Sequence, residues 1–202
     1  SYLNNEGITV NSNYERLTGR LKADYQVKDW LKVGANMAYT YFNANSLSED
    51  GSSASSGNVF AISTRIAPIY PMYIRDGEGN IMIDKNGYKM YDYGDGENGG
   101  LGRPFMSGSN AYSATMLNEN NAEGNAINAM GFAELRFLKD FKFTWTSSVN
   151  VDETRSTAFT NPYYGQYASQ NGMLYKYHTR NLAYNHQQLL NWKRSFGSHN
   201  LD

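Results

Sequence analysis

The sequence predicts an all-β chain. It reads as part of an antiparallel up-and-down transmembrane β-barrel, about five complete strands plus two partial ones, with long extracellular loops. Three observations predict this. Long segments alternate between non-polar and polar residues. Short turns and long excursions take turns along the chain. The composition is also poor in core-building residues: Leu, Ile, Val and Phe total 37 of 202, against 17 Tyr, 24 Asn and 19 Gly. So few large aliphatics would suit a disordered chain, but a net charge of −1 does not.

The first hairpin is the plainest element. Leu17, Gly19, Leu21, Ala23, Tyr25 and Val27 alternate with Thr18, Arg20, Lys22, Asp24 and Gln26. A polar turn, Lys28-Asp29-Trp30, follows. Leu31, Val33, Ala35, Met37, Tyr39 and Tyr41 then alternate with Lys32, Gly34, Asn36, Ala38 and Thr40. Two alternating runs about a short turn predict a β-hairpin. The unit recurs over 127–152, around Leu138-Lys139-Asp140, with Ile127 to Phe137 and Phe141 to Val151 on the apolar phase. A third hairpin is expected near 195–199, after a strand over 173–194. That strand alternates poorly. Leu182, Tyr184, Leu190 and Trp192 share one phase, and Met173, Tyr175 and Tyr177 the other.

Strand length points to a membrane. A run of 13 residues rises ~43 Å, and tilted about 45° it spans ~30 Å, the hydrocarbon thickness of a bilayer. Short turns at one end and excursions over 4–13, 43–126 and 153–172 at the other match outer-membrane barrels. Trp30, Phe137, Phe141, Trp192 and Phe196 near the short turns, and Tyr39, Tyr41 and Phe42 toward the loops, suit interface belts. Within 43–126, residues 46–57 are Ser/Gly-rich and expected to be mobile. Residues 58–66 suit a short helix capped by Asn58 or Ser56. Turn signals at Asp76-Gly77, Gly79-Asn80 and Asn86-Gly87 predict a small hairpin over 72–93.

Other classes are excluded or weakened. No apolar run is long enough for a transmembrane helix. There is no cysteine, hence no disulfide or thiolate site. Balanced charge gives no reason for nucleic acid. His178 and His186 stand ~26 Å apart on an extended strand, too far for one metal. Asp92, Asp95 and Glu97 lack the EF-hand spacing, and a solvated loop is favoured over a calcium site. No nucleophile elbow or phosphate loop is present. The expectation is no enzyme, no catalytic residue, no metal and no cofactor. Ligand contact is the better-motivated role for the loops. Tyr70, Tyr73, Tyr91, Asp92, Tyr93, Tyr163 and Tyr164 are the candidates, because aromatic faces beside polar groups stack on sugars or hold peptides.

The motifs extend this. Ile66-Ala67-Pro68-Ile69-Tyr70-Pro71-Met72-Tyr73, Arg75-Asp76, Gly79-Asn80 and Tyr91-Asp92-Tyr93-Gly94 resemble the SusC/RagA family of TonB-linked outer-membrane transporters from Bacteroidetes-type bacteria. So do Ser1-Tyr2-Leu3, Glu6-Gly7-Ile8, Glu15-Arg16-Leu17-Thr18, Trp30-Leu31-Lys32-Val33-Gly34 and Phe196-Gly197-Ser198-His199-Asn200-Leu201. The resemblance implies a nutrient importer for oligosaccharides or peptides. It implies a SusD-like surface lipoprotein partner, outer-membrane lipid around the barrel, and energy from the TonB complex. Residues 1–202 then belong to one TonB-dependent receptor barrel domain, and 43–126 is a long extracellular loop. The plug and TonB box are not in this chain, and both ends read as cut from a longer one. The rival is a secreted soluble β-sandwich that binds glycans.

Overall fold

The computed structural model describes residues 1–47, 59–100, 102–165 and 167–201. Six strands form one antiparallel sheet in chain order: β1 (Tyr2–Glu6), β2 (Asn13–Lys28), β3 (Leu31–Asn45), β4 (Glu119–Phe137), β5 (Phe141–Thr160) and β6 (Met173–Trp192). Each sheet neighbour is also a sequence neighbour, so the chain is an up-and-down meander. Two seven-residue helices, α1 (Val59–Arg65) and α2 (Ala111–Leu117), sit in the excursion between β3 and β4. The expected helix over 58–66 is α1. Its expected caps, and most of the Ser/Gly-rich stretch, lie outside the described residues.

The register explains the alternation. Across β2 to β6, one face carries the rows Gly19–Tyr39–Ile127–Val151–Leu182 and Leu21–Met37–Ala129–Val149–Tyr184. Below them run Ala23–Ala35–Gly131–Ser147–His186 and Tyr25–Val33–Ala133–Trp145–Gln188, then Leu31–Leu135–Phe143–Leu190 and Phe137–Phe141–Trp192. Nearly every member is apolar. The band covers 10 residues of rise from the Ile127 row to the Phe137 row, ~33 Å of strand, or ~23 Å of height at a 45° tilt. Nothing among the described residues covers it: Leu21 is 71% exposed and Tyr184 72%. The opposite face is mostly polar, with Thr18, Arg20, Lys22 and Asp24 on β2, Asn128 on β4, and Asn150, Ser148 and Thr146 on β5.

The strands are longer than the alternation predicts, 15–20 residues instead of 11–13. The extra length lies beyond the apolar band, where the banded face turns polar within one row. That row is Leu17–Tyr41–Asn125–Glu153–Arg180, followed by Glu15–Asn43–Glu123–Arg155–His178. Ion pairs and amides knit it together. Glu153 accepts from Arg155 at 2.7 Å and meets His178 Nε2 at 2.9 Å, Asn121 Nδ2 donates to Asn43 and Asn45, and Tyr39 Oη donates to Asn125. This also explains the poor pattern of 173–194. Above the band, β6 turns Lys176, His178 and Arg180 to the face that is apolar lower down.

Two glycines on the polar face are covered by the rings directly opposite. Gly34 pairs with Phe132 and Gly124 with Phe42, and a Cβ at either glycine would overlap that ring. Such pairs replace the packing that a strand glycine lacks.

The short turns differ in how they meet the strand twist. Asp29 and Trp30 close β2–β3 with a bulge at Val27. Gly197, at φ +61, opens the tight turn between β7 (Arg194–Phe196) and β8 (His199–Leu201). The strand expected over 173–194 stops at Trp192. Lys193 N bonds Asp140 O at 2.9 Å, and β7 and β8 form a hairpin of their own beyond the sheet. The β4–β5 turn places Leu138 (φ 50) and Lys139 (φ 62) in the left-handed region, which disfavours residues with a Cβ. Lys139→Gly should therefore stabilise the protein by about 0.5–1 kcal/mol, after the glycine's larger unfolded-state entropy is subtracted. Guanidinium unfolding of wild type and variant side by side checks this. A loss of stability would contradict it.

Candidate functional site

All three excursions leave the same end of the sheet: 7–12, 46–118 and 161–172. They are tied to one another. Asn11 Nδ2 donates to Thr115 O of α2 at 3.0 Å. Asn118 Oδ1 accepts from Asn161 N and Nδ2 at 3.0 and 2.8 Å. Asn161 Oδ1 in turn accepts from Tyr163 N and Tyr164 N.

The small hairpin expected over 72–93 is a three-segment ring instead. Ile74 N donates to Met90 O, Met90 N to Met82 O, and Met82 N to Ile74 O, all at 2.9–3.0 Å. A plain hairpin would pair two segments; here two equivalent turns fold a third back against the first. In each turn an aspartate Oδ1 accepts backbone N–H groups two and four residues on: Asp76 from Glu78 and Asn80, Asp84 from Asn86 and Tyr88. A glycine three residues on, Gly79 or Gly87, takes positive φ. These bonds hold the Asp76 carboxyl below its ordinary pKa, chiefly through Asn80. Asp84 is lowered as well, first by the Tyr164 hydroxyl, which donates to Oδ2 at 2.7 Å.

Around this ring lies a tyrosine cluster. Ring centroids are 5.2 Å apart for Tyr73–Tyr91, 5.8 Å for Tyr73–Tyr112, 5.6 Å for Tyr91–Tyr164 and 6.0 Å for the stacked pair Tyr93–Tyr164. Tyr88 and Tyr163 pair separately at 5.1 Å. Two excursions thus share one aromatic core. Burial raises the phenol of Tyr73 to about 12, helped by Tyr112, and pushes Tyr93 and Tyr164 up as well.

The geometry divides the seven candidate residues. Tyr91 and Asp92 are buried. Asp92 accepts from Gly94 N at 2.7 Å and Asn98 Nδ2 at 3.0 Å, so its carboxylate closes its own loop. Tyr73, Tyr93 and Tyr164 are half-buried cluster members, and Tyr93 shares a hydrogen bond with buried Ser113. Tyr163 is exposed on Tyr88. Tyr70 stands apart, its ring 5.8 Å from the Arg103 guanidinium.

Sequence reasoning missed Tyr112, Asn110 and Arg103. Asn110 caps α2 by accepting from Ser113 N, and its Nδ2 donates to Met72 O and Asp92 O at 2.9 and 2.8 Å. The signal was available as an N-cap residue before a helix-forming Ala-Tyr-Ser-Ala run. Ring faces, phenols and amides are the groups this cluster presents. Among the described residues no group of three or more His, Cys, Asp or Glu could hold a metal ion.

This fold has known counterparts. A solved structure of the RagAB peptide transporter matches 93% of this chain with a TM-score of 0.57 at 21% identity. The RagAB peptide importer in its open-open state matches 98% with a TM-score of 0.62 at 23% identity. The likeness is one of fold. The chain spans about a fifth of the length of either counterpart, 19% and 20%. No family model and no curated protein matches the sequence.

Two outcomes test the loop architecture. Asn110→Ala removes a cap and leaves two carbonyls without their donor, and should destabilise the loops by about 2–4 kcal/mol. Hydrogen exchange at Ser113 and Asp92 reports it, and unchanged protection would contradict the bridging role. The raised tyrosines favour the neutral phenol in the folded state. Their contribution is therefore complete below pH ~10 and lost as pH rises through the folded values, about 12 for Tyr73. A phenolate absorbance titration should show a late-ionising group of tyrosines that returns to ordinary values on unfolding.

Proposed function

We propose that residues 1–202 are part of the barrel domain of an outer-membrane, TonB-linked transporter of the SusC/RagA type. The excursion 46–118 is then one of its extracellular loops. Peptides are the favoured cargo, because the structures sharing the fold are of a peptide transporter, and oligosaccharides are the second class. A SusD-like surface lipoprotein is the partner proposed to meet the loops. Energy from the TonB complex would enter through parts of the transporter not in this chain. The work is gated passage, without bond chemistry.

The observation that carries this proposal is the uncovered apolar band. It is ~23 Å tall, close to the ~25 Å outward apolar band of outer-membrane barrels, and is bounded by the polar row at Glu153 and Arg180 and by the short turns with Trp30, Phe137 and Trp192. A soluble glycan-binding sandwich would pack such a face against a second sheet. Polar residues on the other face would line a watery lumen. Tyr70, Tyr73, Tyr93, Tyr163 and Tyr164 are the residues proposed to meet cargo. Tyr91 and Asp92 support them from beneath.

Uptake by the full-length protein in proteoliposomes, with a labelled peptide panel and an oligosaccharide panel, separates the cargo classes. Uptake of neither would sink the proposal. For the membrane face, Leu21→Arg or Ala35→Arg should cost about 2–4 kcal/mol in folding into lipid, and Lys22→Thr close to nothing. Equal tolerance of all three would refute the assignment of faces.

A further inference from the structure

Arg103 is 7% exposed, yet no ion pair among the described residues includes it. Its Nη2 donates to Ser109 O at 2.5 Å, and its Nε is buried with no acceptor. A buried guanidinium without a carboxylate is costly, and an arriving counter-charge would relieve that cost. The position is built deliberately. Gly94, at φ +71, has no side chain, and a Cβ there would overlap Nε; its carbonyl accepts from Arg103 N at 2.9 Å. Tyr70 lies against the guanidinium.

Arg103 and Tyr70 line a cavity of about 420 Å³ between α1, the 66–72 segment and α2. The other walls include Ile62, Ile66, Met72 and Ala111. An apolar chamber with one unpaired buried cation in its wall is complementary to an apolar side chain next to an anionic group. A terminal carboxylate accepts guanidinium N–H groups in charge-assisted bonds, and a peptide carries it on the same carbon as its last side chain.

We propose that this cavity is a subsite for the C-terminal end of a peptide whose last residue is apolar, with Arg103 receiving the free carboxylate. The assignment rests on the proposed transport function and narrows its substrate class. Tyr70 and Ala111 shape the space for the side chain, and Gly94 sets the depth of the guanidinium.

The test uses the full-length transporter in detergent and two probes, the tripeptide Ala-Ala-Leu with a free carboxylate and its C-terminal amide. Calorimetry should show the acid binding at least ~10-fold more tightly than the amide. Arg103→Gln should abolish that preference while leaving amide binding in place, and Arg103→Lys should keep part of it. Should Arg103→Gln fail to fold, Ala111→Trp provides the second variant, narrowing the chamber and weakening both probes while binding of Ala-Ala-Gly acid is less affected. Equal binding of acid and amide by the wild type, as when another segment of the protein already fills the cavity, overturns the subsite and leaves peptide transport standing. So does a preference that survives Arg103→Gln. If no peptide binds or is taken up, the transport function itself falls and the subsite with it.

Discussion

The structure depends on register. Antiparallel pairing across β2 to β6 aligns Leu21, Met37, Ala129, Val149 and Tyr184 in one row, and a slip of one residue in any strand would turn that strand's apolar set to the polar face. The short turns set this alignment. They achieve it with a bulge at Val27 in one case and left-handed residues at 138 and 139 in another. The sheet tolerates local strain there because an entire face depends on the outcome. The glycine–ring pairs, Gly34 with Phe132 and Gly124 with Phe42, fit only in this alignment and reinforce it.

The loops inherit their order from the same source. Because β3, β4, β5 and β6 end at one edge, Asn118 and Asn161 fall close enough to bond, and Tyr164 reaches Asp84 across 80 residues of sequence. The loop core is accordingly polar in its fastenings and aromatic in its filling. Asn110 and Asn161 each satisfy two or more backbone groups and Asp92 satisfies one, which lets a long excursion bury peptide groups without a regular sheet. Exposed apolar residues such as Phe60, Ile69 and Met72 remain around this core.

Much of this was legible in the sequence, and the boundary of legibility is physical. The hairpins about 28–30 and 138–140 could be read because one face of each strand is apolar, and only a two-residue period gives that pattern. The upper parts of β4 and β5 could not be read. The face that is apolar lower down turns polar there, so pairing leaves no trace in composition: Glu123 and Arg155 look like loop residues and are ladder residues. The tyrosines of the loops were recognisable as a group. Their division into buried Tyr91, half-buried Tyr164 and exposed Tyr163 depends on contacts between distant segments. Arg103 gave no signal, since its meaning lies in the carboxylate that no described residue supplies.

The upper strands have a consequence for charge. β5 runs nine residues past the Val151 row, from Asp152 to Thr160, a rise of ~30 Å along the strand and ~20 Å in height at a 45° tilt. With the band seated in a bilayer as proposed, the loop core stands that far above the hydrocarbon edge and ~12–15 Å above the headgroup layer. The Debye length is ~8 Å at physiological ionic strength, so more than one screening length would separate the tyrosines from the membrane's surface charge. An anionic peptide would meet the loops as if in free solution, its approach governed by local residues such as Arg103 and not by repulsion from the lipid beneath.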